Sequence, residues 1–344
     1  MMVAQDPTHW QILQLLKDQK GGYLSGSFVA TGLGLTRTAI WKHIQNLRQM
    51  GYDIESHPKE GYRLLDVPDL LIPEEILPNL ETQWLGRSYH HFSRVASTND
   101  HALLLAARDA PHGTVVVAEE QTHGRGRLKR EWLSASQKGI YFSMLLRTPL
   151  PIRIASQTTL VAALALAKAI RTRYRLPSAI KWPNDILIRN RKVAGILTEI
   201  QSDLDFTRFQ VIGVGINANY TAAELGGPFR YPASSIAVEL GRSIRRQELL
   251  LEYLHEFERE YSRFIREGFE TLLTELERYS AVLGKTIRIL RGEEELEGKV
   301  LGFTPEGALR LLTEDHVEKI IWVGDVTQVL GSVPGESADG ALES

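Results

Sequence analysis

The chain has 344 residues, 43% apolar and 24% charged, the make-up of an ordinary folded protein of two or three domains. Its 40 Lys and Arg stand against 42 Asp and Glu, and a net charge of −2 excludes any global pull toward nucleic acid or membrane, leaving only local patches to act. The absence of cysteine excludes disulfides, cysteine metal sites and cysteine nucleophiles together. The opening residues, Met1 to Pro7, lack a basic start followed by an apolar run. The longest apolar stretch, about Leu160 to Ile170, holds Lys168 and is too short to span a bilayer. A soluble, cytoplasmic protein is expected.

Taken in order, residues 1–65 read as a compact helical unit. Trp10, Ile12, Leu13, Leu15 and Leu16 give a first helix its apolar face, and Ser25 is placed to cap a second containing Phe28, Val29 and Leu33. Gly32 to Leu35 make a tight turn. Thr36 caps a third helix, with Ile40, Ile44 and Leu47 on one side and Gly51 as its stop. Two strand-like runs, 52–55 and 61–64, follow. Helix, helix, turn, helix and hairpin is the layout of a winged helix-turn-helix, with the helix-turn-helix at about Gly26 to Gln45. The third helix then presents Arg37, Thr38, Lys42, Gln45 and Arg48 to DNA, a mixture of phosphate-seeking and base-reading types. Residues 1–66 carry 7 Lys and Arg against 6 Asp and Glu, so only a helix face is basic. A three-helix protein-interaction module is the alternative, and Trp41 on that face suits packing against a partner.

Residues 66–73 form a linker with Pro68 and Pro73. Residues 74–280 mix strands and helices in the order of an α/β or α+β domain. Strands are expected at 115–118, 141–146, 179–182, 186–188, 195–200 and 209–217, and helices at 155–174, 246–265 and 269–279. Residues 283–330 alternate short strands and turns, a small all-β barrel of SH3-like size. The Gly/Ser/Glu-rich tail, 331–344, is expected to be disordered.

One stretch of the middle domain carries most of the chemistry, Gln121-Thr122-His123-Gly124-Arg125-Gly126-Arg127-Leu128-Lys129-Arg130-Glu131-Trp132. Gly124 and Gly126 let the backbone turn and bring N–H groups close to a ligand, while Arg125 and Arg127 are planar forks for phosphate oxygens. An isolated loop of this kind is also a solvated basic surface. Its cations repel, so it is expected to be loose when empty and ordered by a polyanion. Ser97-Thr98-Asn99 is a helix N-cap that can share its loop with a ligand. Asn184 and Asp185 form either an Asx-turn or a Mg²⁺ site; Asn217, after two glycines, ends a strand at a turn or a nucleotide.

In order, Ser97-Thr98-Asn99, the loop 121–132, Lys181-Trp182-Pro183-Asn184-Asp185 with Lys192 to Leu197, and Gly213-Val214-Gly215-Ile216-Asn217 resemble the biotin–protein ligases. With the head before and the small barrel after, the whole of about 8–330 resembles the bifunctional ligases that also repress biotin-synthesis genes. The resemblance implies an α+β multidomain chain whose central sheet is like that of class II aminoacyl-tRNA synthetases. It implies activation of biotin by ATP, with Mg²⁺, to biotinyl-5′-AMP, then transfer to a lysine of a biotin carboxyl carrier protein. Repression through operator DNA and homodimerisation on binding biotinyl-AMP are implied as well.

By that resemblance Arg125, Arg127 and Lys192 are the catalytic cations. Biotin is held by Ser97, Thr98, Asn99, Gln121, Gly124, Arg125, Gly126, Arg127, Lys192 and Gly195. Trp132, Lys181, Asn184, Asp185, Asn217 and Ser235 take the ATP side, with Asp185 as the Mg²⁺ ligand. Where the family's loop carries a third glycine, this chain has Lys129, preceded by Leu128. A lysine resists left-handed backbone, so loop ordering or adenylate retention is expected to differ. The alternatives are a lipoate or octanoate ligase of the same fold, a ligase with a vestigial head, and a ligand-sensing repressor without catalysis.

Overall fold

The structure is a computed structural model and describes residues 7–227 and 231–330. The chain divides into two compact units between Leu70 and Leu71. The tail from 331 lies outside the described residues.

In the first unit three helices, Pro7–Asp18, Gly26–Leu33 and Arg37–Gln49, precede an antiparallel hairpin of Asp53–His57 and Gly61–Asp66. Ile40, Ile44 and Leu47 fall on one face of the third helix and bury against Ile12, Leu16, Val29, Tyr52 and Ile54. Thr36 Oγ1 accepts the Ala39 N–H at 3.2 Å, which satisfies one of the free donors at the helix start. Ser25 sits at its expected cap position but makes no capping bond; its hydroxyl is 2.7 Å from Ser27 Oγ instead. Leu24 exchanges backbone bonds with Tyr62, and a Cβ on Gly61 (φ +108°) would lie 2.1 Å from Leu24 O. Only glycine fits there.

The second unit is built on a seven-stranded mixed sheet. Its order is Tyr89–Phe92, Thr114–Ala118, Gly139–Leu146, Thr207–Asn217, Arg191–Ser202, Asp185–Ile188, Ser178–Lys181. Only the first pair is parallel. Thr114–Ala118 is buried at all five positions because both faces are covered. Val115 and Val117 join the main core, which includes the helices Gln157–Tyr174 and Arg246–Glu267, while Val116 joins Ala102 and Ala106 of the helix Thr98–Ala106. The edge strand Tyr89–Phe92, four half-buried residues, carries no periodicity that the sequence reading could use.

Residues 286–329 form five antiparallel strands in the order Glu318–Ile321, Leu309–Leu312, Glu294–Phe303, Thr286–Arg291, Asp325–Val329. This is the expected small SH3-like β domain, with the first and last of these strands at its edges. Its inward residues Ile287, Ile289, Val300, Leu311 and Val326 belong to the same apolar cluster as the large sheet. The start of Asp325–Val329 thereby helps to line a cavity of the second unit.

Candidate functional site

Four segments far apart in sequence line one cavity of about 200 Å³ on the second unit. Its floor is the cross-strand pair Gly195–Gly215, on which the Trp132 indole lies. A Cβ on Gly215 would be 2.4 Å from Trp132 Nε1, and one on Gly195 would be 3.1 Å from the ring. The loop is closed by Trp132 N–H donating to Gly124 O at 2.9 Å, an approach that a side chain at 124 would block, its Cβ falling 2.5 Å from Trp132 O. Trp132 Nε1 is buried with no hydrogen-bond partner in the protein.

One end of the cavity is a preset polar network. Gln121 Oε1 accepts from the Thr98 N–H at 2.8 Å and the Thr98 hydroxyl at 3.1 Å, while Gln121 Nε2 donates to Ser134 Oγ at 3.0 Å. Ser143 Oγ donates toward Thr98 Oγ1 at 2.8 Å and Asn99 Oδ1 at 2.6 Å, and Asn99 Nδ2 donates to Glu199 Oε2 at 2.7 Å. Ser97 caps the helix, its hydroxyl 3.5 Å from Asp100 N, and it also lines the cavity. Cap and pocket coincide, as the sequence allowed. Ser134, Ser143 and Glu199 escaped sequence reading; alternation along Arg191–Ser202 points Glu199 to the same face as Gly195 and Leu197.

Beside this network stand two lysines, both already partnered. Lys192 Nζ is 2.6 Å from Asp185 Oδ1, and Lys181 Nζ is 3.1 Å from Asp185 Oδ2 and donates to Val326 O at 3.1 Å. Burial pushes the Asp185 carboxyl up, yet Lys192 and Lys181 outweigh it and hold it below its ordinary value. Burial lowers Lys181, against the pull of Asp185. The Lys192 ammonium also stands 5.2 Å from the Trp132 ring centroid. Both oxygens of Asp185 are therefore engaged, and among the described residues no group of three His, Cys, Asp or Glu is placed to hold a metal. Asp185, expected as the Mg²⁺ ligand, lies between these two ammonium groups.

Arg125 pairs with Asp100 and stands 3.8 Å from Glu199. Arg127 donates to Asn184 Oδ1 at 3.1 Å and Gly324 O at 3.0 Å, and Arg130 meets Asp325 at 2.5 Å. Burial lowers the Arg127 guanidinium from its usual value. The repulsion that should loosen the loop is thus offset by carboxylates and carbonyls from three other elements. Leu128 (φ +56°) and Lys129 (φ +58°) both take the left-handed backbone that glycine would take without strain, at a cost of about 1–2 kcal/mol each. The loop keeps its turn despite the lost glycine.

Of the expected residues, Ser97, Thr98, Asn99, Gln121, Arg125, Gly126, Arg127, Trp132, Lys181, Asn184, Asp185, Lys192, Gly195 and Asn217 line the cavity. Gly124 stands behind the wall. Ser235 does not reach it: fully buried, it caps the helix Ile236–Leu240, donates to Tyr220 O at 2.6 Å and serves the fold. Its neighbourhood supports the site indirectly, since Lys192 N–H donates to Pro232 O and Ser234 N–H to Lys192 O. Arg130, Tyr231, Asp325, Val326 and Thr327 line the cavity without having been foreseen.

In the first unit Arg37, Thr38, Trp41 and Lys42 are exposed on the third helix, and Gln45 is half-buried. Arg48 departs from expectation. Its guanidinium donates to Ile54 O, at 2.9 Å from Nε, and to Ser56 Oγ at 2.8 Å, tying the helix to the hairpin instead of facing DNA.

Residues 91–217 match the biotin/lipoate A/B protein ligase family, 9–63 an HTH domain, and 282–327 the biotin protein ligase C terminal domain. The Bifunctional ligase/repressor BirA of Bacillus subtilis is 36% identical over 90% of this chain and 95% of its own length. The protein of the same name from Escherichia coli is 31% identical over 88% and 92%. Among solved structures, the Biotin protein ligase from Aquifex aeolicus in complex with biotin and ATP superposes with a TM-score of 0.60 at 30% identity, covering 69% of this chain and 97% of that one.

Proposed function

The chain belongs to the biotin–protein ligase family, and from that premise we propose how its own residues divide the work. It is an ATP-dependent biotin ligase carrying the DNA-binding head of a bifunctional ligase/repressor. The biotin carboxylate attacks the α-phosphorus of ATP, pyrophosphate leaves, and biotinyl-5′-AMP is held until an acceptor amine displaces AMP. Neither step needs an enzyme nucleophile. Both need anions brought together and charge on oxygen stabilised, which is work for fixed cations in a low-dielectric pocket.

The observation that carries this reading is the Lys181–Asp185–Lys192 cluster next to the Thr98–Gln121–Ser143 network. A neutral, hydrogen-bonding ring suits the network, which offers amide and hydroxyl groups in fixed orientation. A phosphate suits Lys192, Arg125 and Arg127, each of which exchanges a carboxylate or carbonyl partner for it. Trp132 supplies a flat apolar surface and a free N–H beside Asn217, on the nucleotide side. Mg²⁺ would enter with the ATP phosphates, with Asp185 the carboxylate that would hold it.

The test is transfer of labelled biotin to a carboxyl carrier domain, run beside lipoate and octanoate. Labelling with biotin alone is the expected result; equal use of lipoate would overturn the substrate assignment. For the head, the exposed Arg37, Thr38, Lys42 and half-buried Gln45 support operator binding in a cytoplasmic, ligand-induced homodimer. Affinity for biotin-gene operator DNA should rise when biotin and ATP are present. Unchanged affinity would leave the ligase alone.

A further inference from the structure

While biotinyl-AMP fills the first cavity, the acceptor amine has to reach the same carbonyl carbon by another route. A second cavity, of about 180 Å³, abuts the first and shares Arg127, Asn184, Ile196 and Leu197 as a common wall. The Arg127 guanidinium closes that wall, reaching from Asn184 to the Gly324 carbonyl. Beyond it the walls are Leu160, Trp182 and Ala308, with the Thr159 and Thr198 hydroxyls 2.8 Å apart. The outer rim holds Trp322, Val323 and Glu306. Trp322 is 55% and Val323 65% exposed, an unusual pair of large apolar side chains to leave in water, and Glu306 is exposed beside them.

We infer that this second cavity is the entry channel for the acceptor lysine, with the carrier protein docking on Trp322 and Val323. The inference rests on the ligase reading above. A lysine side chain fits the channel's chemistry: four methylenes suit Leu160, Trp182 and Ala308, and the ammonium is drawn by Glu306 at the mouth. The docking residues lead directly into Gly324, to which Val323 is bonded and whose carbonyl holds Arg127. When Arg127 turns to the adenylate phosphate it releases Asn184 and Gly324, and the two cavities join. The ammonium first gives up a proton to water, and the amine nitrogen then attacks the biotinyl carbonyl carbon. The C–N bond forms, the bond to the phosphate oxygen breaks, AMP leaves, and the amine proton passes to water.

The test uses the full chain with Trp322→Ala and, separately, Val323→Glu. Biotin-dependent ATP–pyrophosphate exchange reads the first step, and labelling against carrier concentration reads the second. Exchange should stay within about twofold of wild type, while the KM for carrier rises about tenfold or more, about 1.4 kcal/mol. Thr159→Leu, which narrows the channel, should slow transfer at saturating carrier yet leave hydroxylamine able to intercept the adenylate. A carrier KM unchanged in both surface variants would overturn the inference. So would exchange falling in step with transfer, since the cavity would then serve the nucleotide. Wild-type protein in the same assays tests the ligase reading by itself, so the two failures are distinguishable.

Discussion

Replacing Lys192 by Met separates what that residue does for chemistry from what it does for the fold. In the absence of ligand its ammonium is 2.6 Å from Asp185 Oδ1, and Asp185 is only 6% exposed. Removing it leaves the carboxylate with Lys181 alone. Breaking a buried pair outright costs about 3–5 kcal/mol, and because Lys181 stays, about 1–3 kcal/mol of stability should be lost. The acid side follows. Asp185 is held below its ordinary value, so its contribution is present above the unfolded pKa and disappears as pH falls through the folded one. With one ammonium gone the folded value rises, and acid unfolding should begin at higher pH. For the reaction, losing one preorganised charge-stabilising group costs about 10²–10³-fold, about 3–4 kcal/mol. Urea titration and pyrophosphate exchange measure the two effects. The double variant Lys192→Met, Asp185→Asn should recover stability to within about 1 kcal/mol without recovering exchange. Exchange at the wild-type rate in either variant would refute the catalytic role; recovery of exchange in the double would reduce Lys192 to a structural counter-ion.

Arg127→Gly removes both the cation and its ties to Asn184 and Gly324, so adenylate should leave the open site and label lysines of a bystander protein; labelling confined to the carrier would contradict retention. Gly215→Ala puts a methyl 2.4 Å from Trp132 Nε1 and must lift the indole. Overpacking costs about 1–3 kcal/mol, so the KM for ATP should rise about fivefold or more, and an unchanged KM would take Trp132 away from the nucleotide. Glu119 tests the buried pairing beneath the site. Burial raises its carboxyl, but His91, the fully buried Arg246 and the Leu71 N–H together bring it down to about 2. The drop is worth about 3 kcal/mol, fully present above about pH 5 and lost as pH falls toward about 2. Glu119→Gln should flatten stability over that window, and an unaltered acid profile would show that the pair is not what acid breaks.

Much of this was legible because it is local. Ile40, Ile44 and Leu47 repeat at helical spacing and bury as that spacing requires. Gly124, Gly213 and Gly215 sit where the backbone of one segment meets a side chain of another, and the clashes a Cβ would make there show why no other residue serves. What the sequence hid was pairing over long separations. Nothing near Arg130 points to Asp325, and nothing near Arg127 points to the Gly324 carbonyl, since both partners arrive on a separate sheet. Residue type shows Asp185 as a carboxylate but not the two ammonium groups that meet it in the fold. Arg48 read as a DNA contact for the same reason, its backbone acceptor lying on the hairpin.

These hidden partners change the energetics expected of ligand binding. Arg125, Arg127, Arg130 and Lys192 are held by Asp100, by Asn184 and Gly324, by Asp325 and by Asp185. On the proposed function, a bound adenylate would not meet bare cations; it would exchange one set of oxygens for another. The net gain per contact is then the difference between two charge-assisted bonds, well below the full strength of either. In return the cations stand close to working geometry before substrate arrives, which spares the reaction the cost of ordering long side chains at the barrier. On the same proposal, that exchange would free Asp100, Asp185 and the Gly324 carbonyl. Occupancy of the cavity would then be felt at the start of the helix Thr98–Ala106 and at the edge of the C-terminal sheet, without any hinge having to be invoked.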